Sequence, residues 1–300
     1  MRTDGPVVIA IDGSVHSEQT LTWGLREAEL RGARAVVAEV CPPVPVGQWG
    51  WYPVVTDLEG DLADEARAHL ATLATREQAR RPGLALETRL LRGPEVPQLQ
   101  SLTEEAQLLV VGGHLHNGRG RVGRVAAHLA AHARCPVAVV RPGAAHPGGG
   151  VPPVVVGVDG SACAEEAVAV AAHEALLRGA PLVLAHARPS IVNPYGVDIP
   201  GLPSLTDPQD PTHRAAAATA LALRADHPGL EVRVHLVDDQ PAHALVEAGR
   251  GAQLLVVGSR GLGAFAGMLL GSVSNAVVRD ATTTVLVARA TASTGAASAA

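Results

Sequence analysis

The chain reads as an α/β protein built from two copies of one domain, and three observations carry that reading. Short β-branched runs alternate with longer segments rich in alanine, leucine and glutamate, the pattern of a parallel sheet wrapped by helices. The segment Val154-Val-Val-Gly-Val-Asp-Gly-Ser161 repeats Val7-Val-Ile-Ala-Ile-Asp-Gly-Ser14, and Gln253-Leu-Leu-Val-Val-Gly258 repeats Gln107-Leu-Leu-Val-Val-Gly112. The 300 residues, 47% of them hydrophobic, are enough for two cores of ordinary domain size.

The elements follow in order. Continuous apolar runs too short for helices predict buried strands near residues 6–11, 35–40, 85–91, 107–112 and 136–141, and alanine-rich stretches between them predict helices near 15–31, 58–80, 95–105 and 123–133. The second copy repeats the series, with strands near 153–158, 181–187, 231–237, 253–258 and 284–289 and helices near 162–178, 211–226, 241–249 and 271–280. Pro142-Gly-Ala-Ala-His-Pro-Gly-Gly-Gly150 has the composition of a linker, and Thr291–Ala300 is a small-residue tail with nothing to bury. The expected division is therefore residues 1–143, a linker over 144–152, residues 153–290, and a disordered tail over 291–300. Pro-rich connections near 41–57 and 188–210 follow the second strand of each copy, where loops of that length tend to carry function.

Composition excludes several classes of function. A net charge of −5, with arginines scattered among acids, gives no attraction to nucleic acid or anionic lipid. All 24 basic side chains are arginine, as a GC-rich genome favours, so a phosphate-loop lysine and a lysine Schiff base are both excluded. Cys41, Cys135 and Cys163 are an odd number without a C-x-x-C pair, which argues against disulfides and thiolate zinc and for small buried hydrophobes. With no signal-like start and no apolar run of spanning length, a soluble cytoplasmic protein without a membrane partner is expected.

The most informative segment is Gly258-x-x-Gly261-x(9)-Gly271-Ser272, lying between the run Leu254–Val257 and a predicted helix. Glycines let backbone approach a ligand without a Cβ clash, and unpaired amides at a helix start offer partial positive charge to phosphate oxygens. Nucleotide binding is the chemistry this frame suggests.

With Val154–Ser161 and the full glycine frame, the chain resembles the universal stress protein family in a tandem form, from Val7 to Arg289. The resemblance implies two doubly wound domains of the adenine nucleotide alpha hydrolase-like type, each a five-stranded parallel sheet with helices on both faces. It also implies ATP binding, with Mg²⁺ on the phosphates, and a role in cytoplasmic stress or dormancy signalling through an unknown protein client. Carried over, it places Asp159, Val257 and Gly258 along the adenosine, starts the phosphate loop at Arg260 and Gly261, and assigns the phosphates to Gly271, Ser272, Val273 and Ser274. The strands Val137–Val140 and Val285–Val287 are candidate edges, which in relatives pair two domains; pairing within the chain and a homodimer are both expected possibilities.

The first copy departs from this frame. Its loop from Gly112 to Gly123 is two residues shorter, and Arg124 stands where Ser272 does, so an empty or weak first site is expected even with Arg119 and Arg121 nearby. His114, His116, His128 and His132 suggest zinc only weakly, because no accompanying acid motif exists. Trp49, Trp51 and Tyr52 read first as packing residues of the long loop. No catalytic constellation stands at an interpretable spacing, so binding is expected rather than catalysis. The alternatives are a nucleotide-independent interaction module and a slow ATPase or self-phosphorylating protein.

Overall fold

The computed structural model describes residues 3–14, 17–41, 43, 52–113, 122–141, 150–188, 211–262 and 269–289, with backbone alone over 52–59, 211–213 and 238. Trp49, Trp51, His114, His116, Arg119, Arg121, most of the expected linker and the tail lie outside these residues. Contacts divide the chain into two compact units, with the boundary in sequence between Val140 and Arg141 and with Val122 grouped in the second.

The first unit runs β1 (Val7–Ile11), α1 (Ser17–Leu30), β2 (Ala35–Cys41), α2 (Tyr52–Arg80), β3 (Leu86–Arg92), α3 (Glu95–Leu102), β4 (Leu108–Gly112), α4 (Arg124–His132) and β5 (Val137–Val140). The second runs β6 (Val154–Gly157), α5 (Ala162–Arg178), β7 (Leu182–Arg188), α6 (Pro211–Asp226), β8 (Val232–Asp238), α7 (Pro241–Ala248), β9 (Leu254–Gly258), α8 (Ser272–Asp280) and β10 (Val285–Ala288). Every expected element is present. α2 starts six residues before its expected position because Pro53 falls in its first turn, where a missing N–H costs nothing. α3 stops at Leu102, where the Thr103 hydroxyl and amide both turn back to the Gln100 carbonyl.

Within the first unit the strands lie in the order β3-β2-β1-β4-β5, and within the second β8-β7-β6-β9-β10, with parallel pairing. Right-handed crossovers that advance from β1 to β3 and then reverse put α1 and α2 on one face and α3 and α4 on the other. The reversal leaves a crevice at the carboxyl ends of β1 and β4, and of β6 and β9 in the second unit. These strands are buried on both sides: Val7, Ile9, Val110, Val154, Val156, Leu254 and Val256 are all 0% exposed. Each such side chain contributes about 1.5–3 kcal/mol of transfer free energy.

The repeat extends to small devices. α1 and α5 end at left-handed glycines, Gly32 at φ 59° and Gly179 at φ 56°, each followed by an alanine whose amide donates a hydrogen bond back into the last turn. Glu27 pairs with Arg31, and Glu174 with Arg178, in side-chain pairs shielded from water. Gln107 donates through Nε2 to the Gly5 carbonyl at 2.5 Å, and Gln253 to the Pro152 carbonyl at 2.6 Å, fastening the entrance of β1 and of β6.

Candidate functional site

In the second unit the carboxyl ends of β6 and β9 place two loops side by side. After β6, Gly160 takes φ 82°, and Ser161 caps α5 by accepting from the Ala164 amide at 3.2 Å. Asp159 organises this turn through Oδ1, which accepts from the Ser161 amide at 3.0 Å and the Ser161 hydroxyl at 2.6 Å. Its other oxygen, Oδ2, accepts from the Leu262 amide of the glycine loop at 3.0 Å. One half-buried carboxylate therefore joins the two loops.

Gly258 and Gly261 answer to crowding around that junction, whereas Gly271 has room for ordinary contact. A Cβ on Gly258 would lie 2.6 Å from the Cys163 carbonyl oxygen, so its absence lets the start of α5 pack on the end of β9. A Cβ on Gly261 would lie 2.4 Å from Asp159 Oδ2, and one on Gly271 would stand 3.4 Å from Arg260 Cα and 3.5 Å from the Gly261 nitrogen. The loop closes where the Gly271 amide donates to the Ser259 carbonyl at 2.8 Å.

α8 then begins with Gly271 as its N-cap, which has no side chain to offer the first-turn amides of Ser272, Val273 and Ser274. Ser272 is exposed, whereas Ser274 is buried and its hydroxyl donates to the Gly258 carbonyl at 2.6 Å. Ser274 thus seats the helix on β9 through its hydroxyl. Arg260 is exposed at the same corner, and Val257 is buried beneath it in β9. All nine residues expected from the sequence meet in this region. Gly258, Gly261 and the Ser274 hydroxyl serve the packing of the two loops and α8; residues 263–268 lie outside the described chain.

Sequence reasoning missed a cleft of about 460 Å³ that opens beside Asp159 and runs between α5 and α6. Its wall includes His186 of β7 and Ala216 and Thr219 of α6. The available signal was a comparison of α2 with α6, which shows large residues in the first copy becoming small in the second.

The first unit has part of the same corner. Asp12 Oδ1 accepts from the Ser14 amide at 3.1 Å and from the Ser17 hydroxyl at 2.5 Å, and Gly13 takes φ 70°. α4, however, opens with an exposed Arg124 directly after its N-cap Gly123. A cation at that end opposes the helix dipole. Further along α4 the His128 and His132 rings stack at 3.8 Å, and His132 Nδ1 bonds to the His128 carbonyl at 2.9 Å. Desolvation, then the His132 charge, lowers the His128 pKa. Among the described residues no group of three or more His, Cys, Asp or Glu side chains is placed to hold a metal ion. The three cysteines are free thiols, Cys135 buried and Cys41 and Cys163 half-buried. No helix among the described residues is long and apolar enough to cross a membrane.

Comparison with known proteins agrees with the duplication. The sequence model of the universal stress protein family matches twice, over residues 5–141 and 151–289. Universal stress protein Rv2005c of Mycobacterium tuberculosis is 34% identical over 294 residues, covering 94% of this chain and 96% of the relative. Universal stress protein Rv2623 of the same organism is 35% identical over 300 residues, with the same two coverages. Among solved structures, a universal stress protein from Archaeoglobus fulgidus superposes with a TM-score of 0.68 at 19% identity, covering 96% of this chain and 97% of its own, a likeness of fold.

Proposed function

We propose ATP binding in the second half of this chain, which belongs to the universal stress protein family and contains that family's domain twice. The observation that carries the proposal is the junction at Asp159: a single carboxylate ties the β6–α5 turn to the glycine loop, beside a helix start whose N-cap has no side chain. Such a start, with the aligned dipole behind it, suits phosphate oxygens, and the exposed Arg260 guanidinium adds charge at the same corner. Ser272 has an exposed hydroxyl to donate, and Asp159 stands where a ribose would meet the turn.

The donors at this corner are amides, a hydroxyl and a guanidinium, which fit a phosphate chain. Mg²⁺ would be held mainly by phosphate oxygens and water, as is usual for magnesium nucleotides, and would neutralise phosphate charge. Occupancy of the crevice would alter the surface around the glycine loop, which suits a nucleotide sensor acting in stress or dormancy through a protein client.

The test is mass spectrometry of nucleotide released from freshly purified protein, with calorimetric titration of MgATP. Wild type is expected to bind one ATP per chain, and Gly271→Val to bind none while keeping its circular dichroism. Two per chain would show the first half binding as well, and neither copurified nucleotide nor binding on titration would sink the proposal in favour of an interaction module.

A further inference from the structure

Arg141 stands before the linker in sequence, yet it groups with the second unit, where it closes the far end of α8. An α-helix leaves its last carbonyls without partners inside the helix. In α8 the Ala281 amide takes up the Val277 carbonyl at 2.9 Å. The next two carbonyls are taken by the Arg141 guanidinium, whose Nη2 donates to Val278 at 2.7 Å and to Arg279 at 3.1 Å. Arg141 is 3% exposed, and its own amide donates to the Thr284 hydroxyl at 3.4 Å. Burial lowers the pKa of this guanidinium and the charge of Asp280 raises it. The cation therefore sits where a carboxylate and the negative end of the helix dipole both favour it.

α8 lacks a helper that its counterpart has. In the first unit Gln100 of α3 donates through Nε2 to the His132 carbonyl at the end of α4, at 3.3 Å. On the register that aligns Gln107 with Gln253, the position of Gln100 falls to Val246 of α7, whose side chain carries no donor. The closure of α8 thus leans on Arg141.

The helix is short enough for its two ends to depend on each other. Its nine residues span about 14 Å at the usual rise per residue. The Ser274 hydroxyl fastens the amino end to the Gly258 carbonyl, and Arg141 fastens the carboxyl end. Without the guanidinium the Val278 carbonyl would be left unpartnered in a buried position, and the last turn would have to shift or unwind to reach water. Building on the ATP site proposed above, we infer that Arg141 is a positioning residue for nucleotide binding: it sets α8 at one end so that the first-turn amides at the other keep the place the phosphates need. The site in the second half of the chain is then incomplete without a residue that precedes the linker.

The experiment is calorimetric titration of the full chain and its Arg141→Met and Arg141→Lys variants with MgATP, beside side-chain NMR of wild type. Methionine has comparable length and no donor, whereas lysine keeps the charge and has hydrogens for both carbonyls. Arg141→Met is expected to weaken MgATP binding about tenfold, and Arg141→Lys about threefold or less. A residue that only stabilised the fold would lower the thermal midpoint and leave the affinity of the folded protein unchanged. Reciprocity requires bound MgATP to protect the Arg141 contact in turn, so exchange of its guanidinium hydrogens in wild type should slow at least about threefold on saturation. Arg141→Met binding within about twofold of wild type, or Arg141→Lys binding no better than Arg141→Met, overturns the inference and leaves the ATP site standing. Guanidinium exchange unchanged by MgATP does the same, and it decides the matter even if neither variant folds. A wild type that binds no MgATP overturns both.

Discussion

On the face shared by α1 and α2, the first half of the chain is filled: Leu70 and Leu73 lie under α2, and Arg76 reaches over to Glu18. On the matching face of the second half, Ala216 and Thr219 leave a cleft beside Asp159. The strand order, the left-handed glycine ends of α1 and α5 and the shielded Glu–Arg pairs are the same in both halves. A duplicated scaffold can thus keep what stabilises it and diverge in a few side-chain volumes at one edge. Those volumes, more than the shared fold, separate a half that is packed from a half with room for a ligand.

Four measurements test the contrast between the two halves. The largest effect is expected from the shielded pairs, where removing one partner takes away a buried counter-charge. Glu174→Ala and Glu27→Ala should each lower stability by about 3–5 kcal/mol in urea unfolding, and a large loss in only one half would end the structural equivalence. Asp159→Ala removes the acceptor of the Leu262 and Ser161 amides and should weaken MgATP binding by about 1.5–3 kcal/mol in calorimetry. Asp12→Ala should leave it unchanged, and the reverse result would move the site to the first half. Gly258→Ala presses a methyl group against the Cys163 carbonyl and should destabilise by about 1–3 kcal/mol in thermal unfolding; an unchanged midpoint would mean that β9 and α5 can separate freely.

The smallest effect belongs to His243 and Asp239, an exposed pair 2.5 Å apart whose places in the first half are taken by Pro97 and Gly93. The hydrogen bond to Asp239, then its charge, raises the His243 pKa, and the bond to His243 lowers that of Asp239. The histidine's contribution is complete below its unfolded pKa and is lost as pH rises through the raised value. The aspartate's is present above its unfolded pKa and is lost as pH falls through the lowered value. The pair therefore stabilises the second half between the two. In an NMR titration the His243 ring should show a midpoint above the ordinary 6.5, and a midpoint below it would show that the pair does not persist in solution.

Much of this architecture was legible in the sequence. The strands are continuous apolar runs because both faces are buried, and the repeat of Val7–Ser14 at Val154–Ser161 marked the first strand and turn of each copy. The start of α2 was not legible, since Tyr52-Pro53 reads as loop until the helix is seen to tolerate proline in its first turn. The glycine frame was legible as a pattern but not in its reasons: Gly261 clears the Asp159 carboxylate and Gly258 clears the start of α5, contacts between segments about 100 residues apart. The cleft stayed hidden because it is a difference in volume across two helices, which no single motif records.

Gln107 and Gln253 have a consequence for the chain as a unit of inheritance. Each glutamine holds the backbone that leads into the first strand of its own copy, so each copy carries its own fastening at the point where a fusion would begin. A coding sequence cut within codons 142–149 would give two pieces that keep these clasps. Moved beside another domain, the second piece would take its own fastening with it.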